Sequence, residues 1–319
     1  MRLNIFTIVL LPTLFSLTAN AFNFTEYVNE NVYNAEKGEK LEVTTAAGLA
    51  SQNSYLDVSG QSLTVTNRNY ALVAVNINDK INAHLSVPFK DPAASRQARV
   101  DSDVQCYSLS YDLTPKIKTA ALYSRTKGYF YDDKMTNTFY KLPNLSFDQI
   151  GLTFFYLTNE NHQSAYLDPL LTKRSEDSSS FIYSLGYSHS EASHLDELNL
   201  LPNSKSEKIN ATGITSSHIE ALRAQAIYSK NWFWTNWFAT ASMGLQLGTD
   251  FNKKSYAGGE SQNENKVSSG IALSFSTGYI WTRFATGFFG RLTQNTYEID
   301  NMKIISQAGN SGAYLSYQF

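Results

Sequence analysis

Apolar and polar residues alternate along much of this chain with a period of two. From Val267 to Trp281 one set reads Val267, Ser269, Ile271, Leu273, Phe275, Thr277, Tyr279 and Trp281. The residues between them are Ser268, Gly270, Ala272, Ser274, Ser276 and Gly278. Successive side chains of a β-strand point to opposite faces, so the first set makes an apolar face and the second a small, polar one. The second face is too small and polar to pack a sandwich core. The pattern recurs in 237–248, in 283–292, in 105–113 and in 148–157, and less regularly in 41–50, 70–78, 81–87, 116–125, 181–189, 219–229 and 311–319. These segments predict about twelve strands.

The connections alternate in length. Short ones are expected at 78–80, 114–115, 230–231 and 281–282, and longer polar ones at 51–69, 89–102, 126–146, 191–217, 249–266 and 294–310. Strands with one apolar face, tight turns at one end and long loops at the other are the pattern of an antiparallel, up-and-down transmembrane β-barrel. Hydrocarbon offers backbone groups no partner, so such a sheet must close. Segment 158–180 departs from the alternation, since a short turn is expected there. It contains Asp168-Pro169 and Lys173 to Ser180, and the residues alone do not say whether it extends a strand, enters the lumen or protrudes.

The N-terminus points to export. Arg2 precedes a mostly apolar stretch, Ile5 to Leu17, and Ala19-Asn20-Ala21 matches the small-x-small pattern of a signal-peptidase site. The expected organisation is a cleaved signal peptide at 1–21 and a single barrel domain over 22–319, placed in the outer membrane of a Gram-negative bacterium. At the other end, Leu315, Tyr317 and Phe319 occupy every second position and resemble the signal by which outer-membrane barrels are passed to the assembly machinery.

Composition fits this picture. Charged residues are 17% and aromatic residues 13% of the chain, against roughly 25% charged in soluble domains. Beyond residue 21 no run approaches the roughly 20 apolar residues of a spanning helix. A net charge of −2 gives no reason to expect nucleic acid. Cys106 is the only cysteine, which excludes an intramolecular disulfide.

Three stretches carry a family resemblance. Leu122 to Phe130 runs from a strand into a Lys-Gly-aromatic loop; Lys173-Arg174-Ser175 leads through Ser180 into Phe181; and Leu195-Asp196 to Leu201-Pro202 forms a loop before the next strand. In order and spacing over most of the mature chain they resemble the outer-membrane barrel family known as domain of unknown function 4421. The stretch 172–180 departs from that pattern, being more acidic and lacking a glycine. The resemblance implies a barrel and carries no activity.

Candidate chemistry then depends on which side chains face inward. The alternation puts Lys118, Arg223, Arg283 and Arg291 in the lumen, with Asp112, Glu42 and His84 facing the same space. Fixed charge in a narrow channel focuses the field on anions; the competing expectation is that these charges pair and fill a sealed lumen. Phe155, Phe238, Phe289, Tyr70 and Tyr314 also point inward, where rings obstruct a small barrel. The leading expectation is a passive or weakly anion-selective channel for small solutes. The alternative is a closed barrel acting through its surface loops as an adhesin, receptor or structural protein.

A third, remote expectation is a lipid hydrolase, raised by Tyr187-Ser188-His189-Ser190. Adjacent residues on one strand face opposite ways, so His189 and Ser190 do not share a hydrogen bond as base and nucleophile. No catalytic residue, metal site or cofactor is expected. Expected partners are outer-membrane lipid, lipopolysaccharide, the assembly machinery and small solutes. Lys253-Lys254 and Lys173-Arg174 are candidates for lipopolysaccharide phosphates, and Trp232, Trp234 and Trp237 for a periplasmic interface girdle.

Overall fold

Period-two alternation of large apolar with small residues gives strands that bury one face and present the other to lipid, and every alternating segment is a strand. In the computed structural model, residues 42–319 are described apart from 59–60, 66–67, 79, 90–102, 134–137, 163–166, 168–175, 202–212 and 300–301. The expected signal peptide lies outside the described residues. The strands are β1 (Val43–Val58), β2 (Gln61–Val65), β3 (Arg68–Ile77), β4 (Ile81–Phe89), β5 (Asp103–Thr114), β6 (Ile117–Asp133) and β7 (Thr138–Leu157). They continue with β8 (Ser178–Ser193), β9 (Ile214–Trp234), β10 (Trp237–Tyr256), β11 (Ser261–Ile280), β12 (Phe284–Ile299) and β13 (Met302–Gln318).

Every pairing is antiparallel, and β1 closes the sheet on β13, from Thr44 opposite Gln318 to Val58 opposite Ile304. Twelve strands, all but β2, form the ring. The short β2 pairs with the outer end of β1 and, through Thr64 and Val65, with Phe130 and Tyr129 of β6. It therefore bridges the span otherwise filled by β3, β4 and β5. At that level β1, β2 and β6 to β13 make the wall, ten strands in place of twelve, and the barrel narrows outward.

The outward face is apolar. Leu152, Phe154, Leu185, Tyr187, Met243, Leu245, Leu273 and Phe288 are exposed on it. At the end holding both described chain termini, rings cluster: Trp237 and Trp281 each meet Tyr279 edge-on at 5.1 and 4.9 Å, and Phe284 and Phe319 flank Tyr317 at 4.6 and 4.7 Å. Amphipathic rings gather where lipid meets water, and the short connections β3–β4, β5–β6, β9–β10 and β11–β12 all lie at this end, which makes it the periplasmic rim. The turn between β9 and β10 lies at Thr235-Asn236, with Thr235 at φ 53°, rather than at Lys230-Asn231. β9 keeps its pairing past Lys230, which carries Trp234 to the rim.

The structure also shortens the outer loops. β7, β9, β10 and β11 are 20, 21, 20 and 20 residues long, whereas about 9–11 tilted residues cross a bilayer. Much of 126–146, 249–266 and 294–310 is strand. These outer portions lie beyond the lipid, so no apolar outward face marks them, although their hairpin pairing continues and Tyr129, Leu142 and Leu145 among them are buried.

Candidate functional site: the closed lumen

Inward-facing bulk is accommodated where the opposite wall is bare. Gly278 and Gly287 are paired across β11 and β12; a Cβ at Gly278 would stand 2.9 Å from Phe238 Cε1, and one at Gly287 3.1 Å from Tyr314 Cε1. The two rings thus lie over glycine backbone. With Phe289, Ile280, Ala46 and Ala74 they form an apolar cluster in the periplasmic half of the lumen. A second cluster beside it joins Phe155, Leu157, Ile182, Ile227 and Ala272.

The connection between β7 and β8 folds against this second cluster. Leu167 packs on it, and Thr158 and Asn159 are tied to the start of β8: Phe181 N–H donates to Thr158 Oγ1 (3.0 Å) and Asn159 Nδ2 to the Ser179 carbonyl (3.1 Å). His162 is only 3% exposed, with Nδ1 3.0 Å from Ser178 Oγ, while its Nε2 is buried without a partner. Burial, and after it the charge of Lys230, pushes the His162 imidazole down to about 4.

The outer end is stoppered differently. Leu63 of β2, 0% exposed, packs with Tyr70, Val104, Tyr129, Leu142, Leu145 and Ile219 from the wall. Leu195, Leu198 and Leu201 join them from a 3-10 turn, Leu195–Leu200, and the residue after it, in the connection following β8. Glu197 pins this turn: the Asn144 N–H, Asn144 Nδ2 and Leu145 N–H donate to its carboxylate at 3.1, 2.8 and 3.0 Å.

Between the stoppers the lumen is polar and its charges pair. Arg223 Nη2 is 2.8 Å from Asp250 Oδ1 and its Nη1 donates to Ser188 Oγ at 3.0 Å; Ser268 Oγ donates to the same Asp250 oxygen at 3.0 Å. At the periplasmic end, beside the β5–β6 turn and opposite Phe155, Lys118 Nζ is 2.6 Å from Asp112 Oδ2, on residues directly opposite each other in β6 and β5. Arg291 faces inward opposite Ser274 and Asn310, and His84 opposite Ala74 and Ser108. Arg283 does not line the lumen: it is exposed in the Trp281–Phe284 turn, where its carbonyl accepts Gln318 N–H (2.9 Å). The turn takes the residue that strict alternation assigns to β12. Glu42 is likewise at the exposed periplasmic end, its N–H donating to Asn78 Oδ1.

Other expected sites separate in the same way. Lys254 is inward and 1% exposed, paired with Glu264, so only Lys253 remains on the surface; Lys173 and Arg174 lie outside the described residues. His189 faces outward, its Nδ1 2.7 Å from Glu220 Oε1, and its outward neighbours Tyr187, Glu191 and Ile150 carry no aliphatic hydroxyl. Among the described residues no group of three or more His, Cys, Asp and Glu side chains is placed to hold a metal. Leu315 and Phe319 are exposed on the lipid face in line with Tyr317.

Comparison with solved structures returns outer-membrane barrels. The outer-membrane protease OmpT of Escherichia coli aligns at 8% identity over 88% of this chain and 96% of that one, with a TM-score of 0.36. An outer-membrane channel of Pseudomonas putida F1 aligns at 11% over 86% and 95%, TM-score 0.37. Ail, the attachment invasion locus protein of Yersinia pestis, aligns at 10% over 88% and 100%, TM-score 0.21. No curated protein matches the chain. The closed twelve-strand ring with its lipid-facing outer surface is an outer-membrane β-barrel. Residues 23–319 match the family described as Domain of unknown function (DUF4421), and the chain belongs to that family.

Proposed function

We propose that the chain is exported through a cleaved signal peptide, residues 1–21, and acts in the bacterial outer membrane as a sealed barrel that presents its outer projection for recognition, as an adhesin, receptor or structural element. One observation carries this reading. The outer mouth is filled by an apolar cluster to which β2 and the pinned 3-10 turn each contribute buried leucine. A packed apolar stopper excludes hydrated ions, because a desolvated charge in such a region is costly. Strands about twice as long as a bilayer requires support the same reading, since they build a surface beyond the membrane.

A second reading, the passive and weakly anion-selective channel, is favoured by the polar middle of the lumen and by Arg223 and Arg291 on its wall. Single-channel recording from refolded protein separates the two. The sealed reading expects no steady current from the native chain, and none when Leu195 and Leu198 alone are changed to Ser, because the periplasmic cluster stays in place. Steady native current with anion preference contradicts it, and the channel reading then expects Arg291→Ser to reduce that preference.

A further inference from the structure

We propose that the outer wall carries a binding groove for an anionic phospholipid of the periplasmic leaflet, with its phosphate on Lys230 and an acyl chain lying across β10 to β1. A groove of about 830 Å³ opens on the face bearing Tyr228, Met243 and Leu273. Its line is one row of paired residues: Lys230 opposite Ala241, then Phe275, Gly290, Ser311 and Ser51. Ala241, Ser311 and Ser51 leave the wall low along the row, and the Phe275 ring lies flat over Gly290 to floor the groove between them. Flanking side chains from Tyr228 to Leu292 stand up beside it.

The row is inclined in the direction a lipid requires. It meets β10 at Ala241, near the periplasmic start at Trp237, but meets β13 at Ser311, well back from the periplasmic end at Gln318. Followed from Lys230, the groove rises from the periplasmic rim into hydrocarbon. A headgroup at one end and a chain along the rest fit that path.

Lys230 supplies the charge. It lies on the lipid-facing side of β9, one outward position above Trp232, and makes no ion pair among the described residues. Asp177, which begins the approach to β8, accepts the Phe233 N–H at 2.7 Å. An ammonium on the membrane side of a tryptophan girdle reaches down to the headgroups by extending its stem, and its complement at that depth is a lipid phosphate.

The test uses the chain's own tryptophans. All four, Trp232, Trp234, Trp237 and Trp281, lie at the periplasmic rim, so their fluorescence reports lipid there. Full-length protein is refolded into phosphatidylcholine vesicles holding a minor fraction of brominated-acyl phosphatidylglycerol, or of brominated phosphatidylcholine as reference. About a fivefold preference for the anionic quencher is expected, the effect of one lysine near an anionic surface. Lys230→Gln should reduce the preference severalfold, leaving only what Arg283 in the rim turn contributes, Lys230→Arg should keep it, and Ala241→Phe, which fills the groove and spares the charge, should reduce it. Equal quenching by both lipids in the native protein overturns the proposal, as does a preference unchanged in Lys230→Gln. A preference that survives intact in Ala241→Phe overturns the groove, leaving a surface charge effect. If Lys230→Gln fails to fold, native protein against Ala241→Phe and Lys230→Arg still decides.

Discussion

The Arg223 and Asp250 side chains are 12% and 5% exposed, and neither charge is tolerable at that burial without the other. Removing one partner strands the second, so Arg223→Ala should destabilise the barrel by about 3–5 kcal/mol. Replacing both by apolar residues, Arg223→Met with Asp250→Leu, should cost much less; urea unfolding followed by heat-modifiable gel mobility measures both. His162 provides a pH-dependent counterpart. Its folded pKa of about 4 lies below the ordinary value of 6.5, so the unfolded segment binds the proton more readily. Stability from burying the neutral ring is full above pH 6.5 and falls as pH drops toward 4. Protection factors for hydrogen exchange at residues 158–162, taken against the intrinsic rate at each pH, should therefore fall across that window, and His162→Gln should flatten the profile. Which charges face the lumen was legible wherever a residue sits inside a strand, as for Lys118, Asp112, Arg223 and Arg291. It failed for Arg283 and Glu42, because alternation does not announce where a strand ends.

At the scale of the strand and its loop, glycine placement decides how inward rings fit. A Cβ at Gly278 would lie 2.1 Å from the Thr286 carbonyl oxygen and 2.7 Å from Gly287 Cα. Backbone cannot retreat as a side chain can, so Gly278→Val should cost about 3 kcal/mol or more, near the upper end of overpacking effects, and refolding yield checks it. The outer turn depends instead on one carboxylate. Glu197→Ala leaves the Asn144 and Leu145 donors without their acceptor and should loosen Leu195–Leu201 by about 1–3 kcal/mol, read as faster hydrogen exchange and proteolysis there. The membrane portions of the strands were readable because lipid imposes one apolar face. Their outer extensions were not, since beyond the lipid nothing requires the outward face to be apolar. The bridging of β1 to β6 by β2 had no local signal at all, because it depends on pairing between residues far apart in sequence.

For the whole molecule, the register closes twelve strands at membrane level and narrows the wall to ten beyond it, and apolar clusters occupy the space at both ends. The twelve-strand count was recoverable from alternation and connection lengths, and so were the inward rings Phe155, Phe238, Phe289 and Tyr314 of the periplasmic clusters; the outer stopper was not, since Leu63 and Leu195 lie in stretches that read as loop. The sealed lumen is the central claim, and the protein carries its own probe for it. Cys106 is the single cysteine, lies on β5 opposite Ser86 and Ser124, and keeps some accessible surface inside the wall. The most direct measurement is its reaction with a membrane-impermeant cationic methanethiosulfonate applied from outside to the native protein in vesicles. A sealed barrel leaves Cys106 unmodified until Leu195 and Leu198 are changed to Ser, whereas prompt modification of the native chain would contradict it.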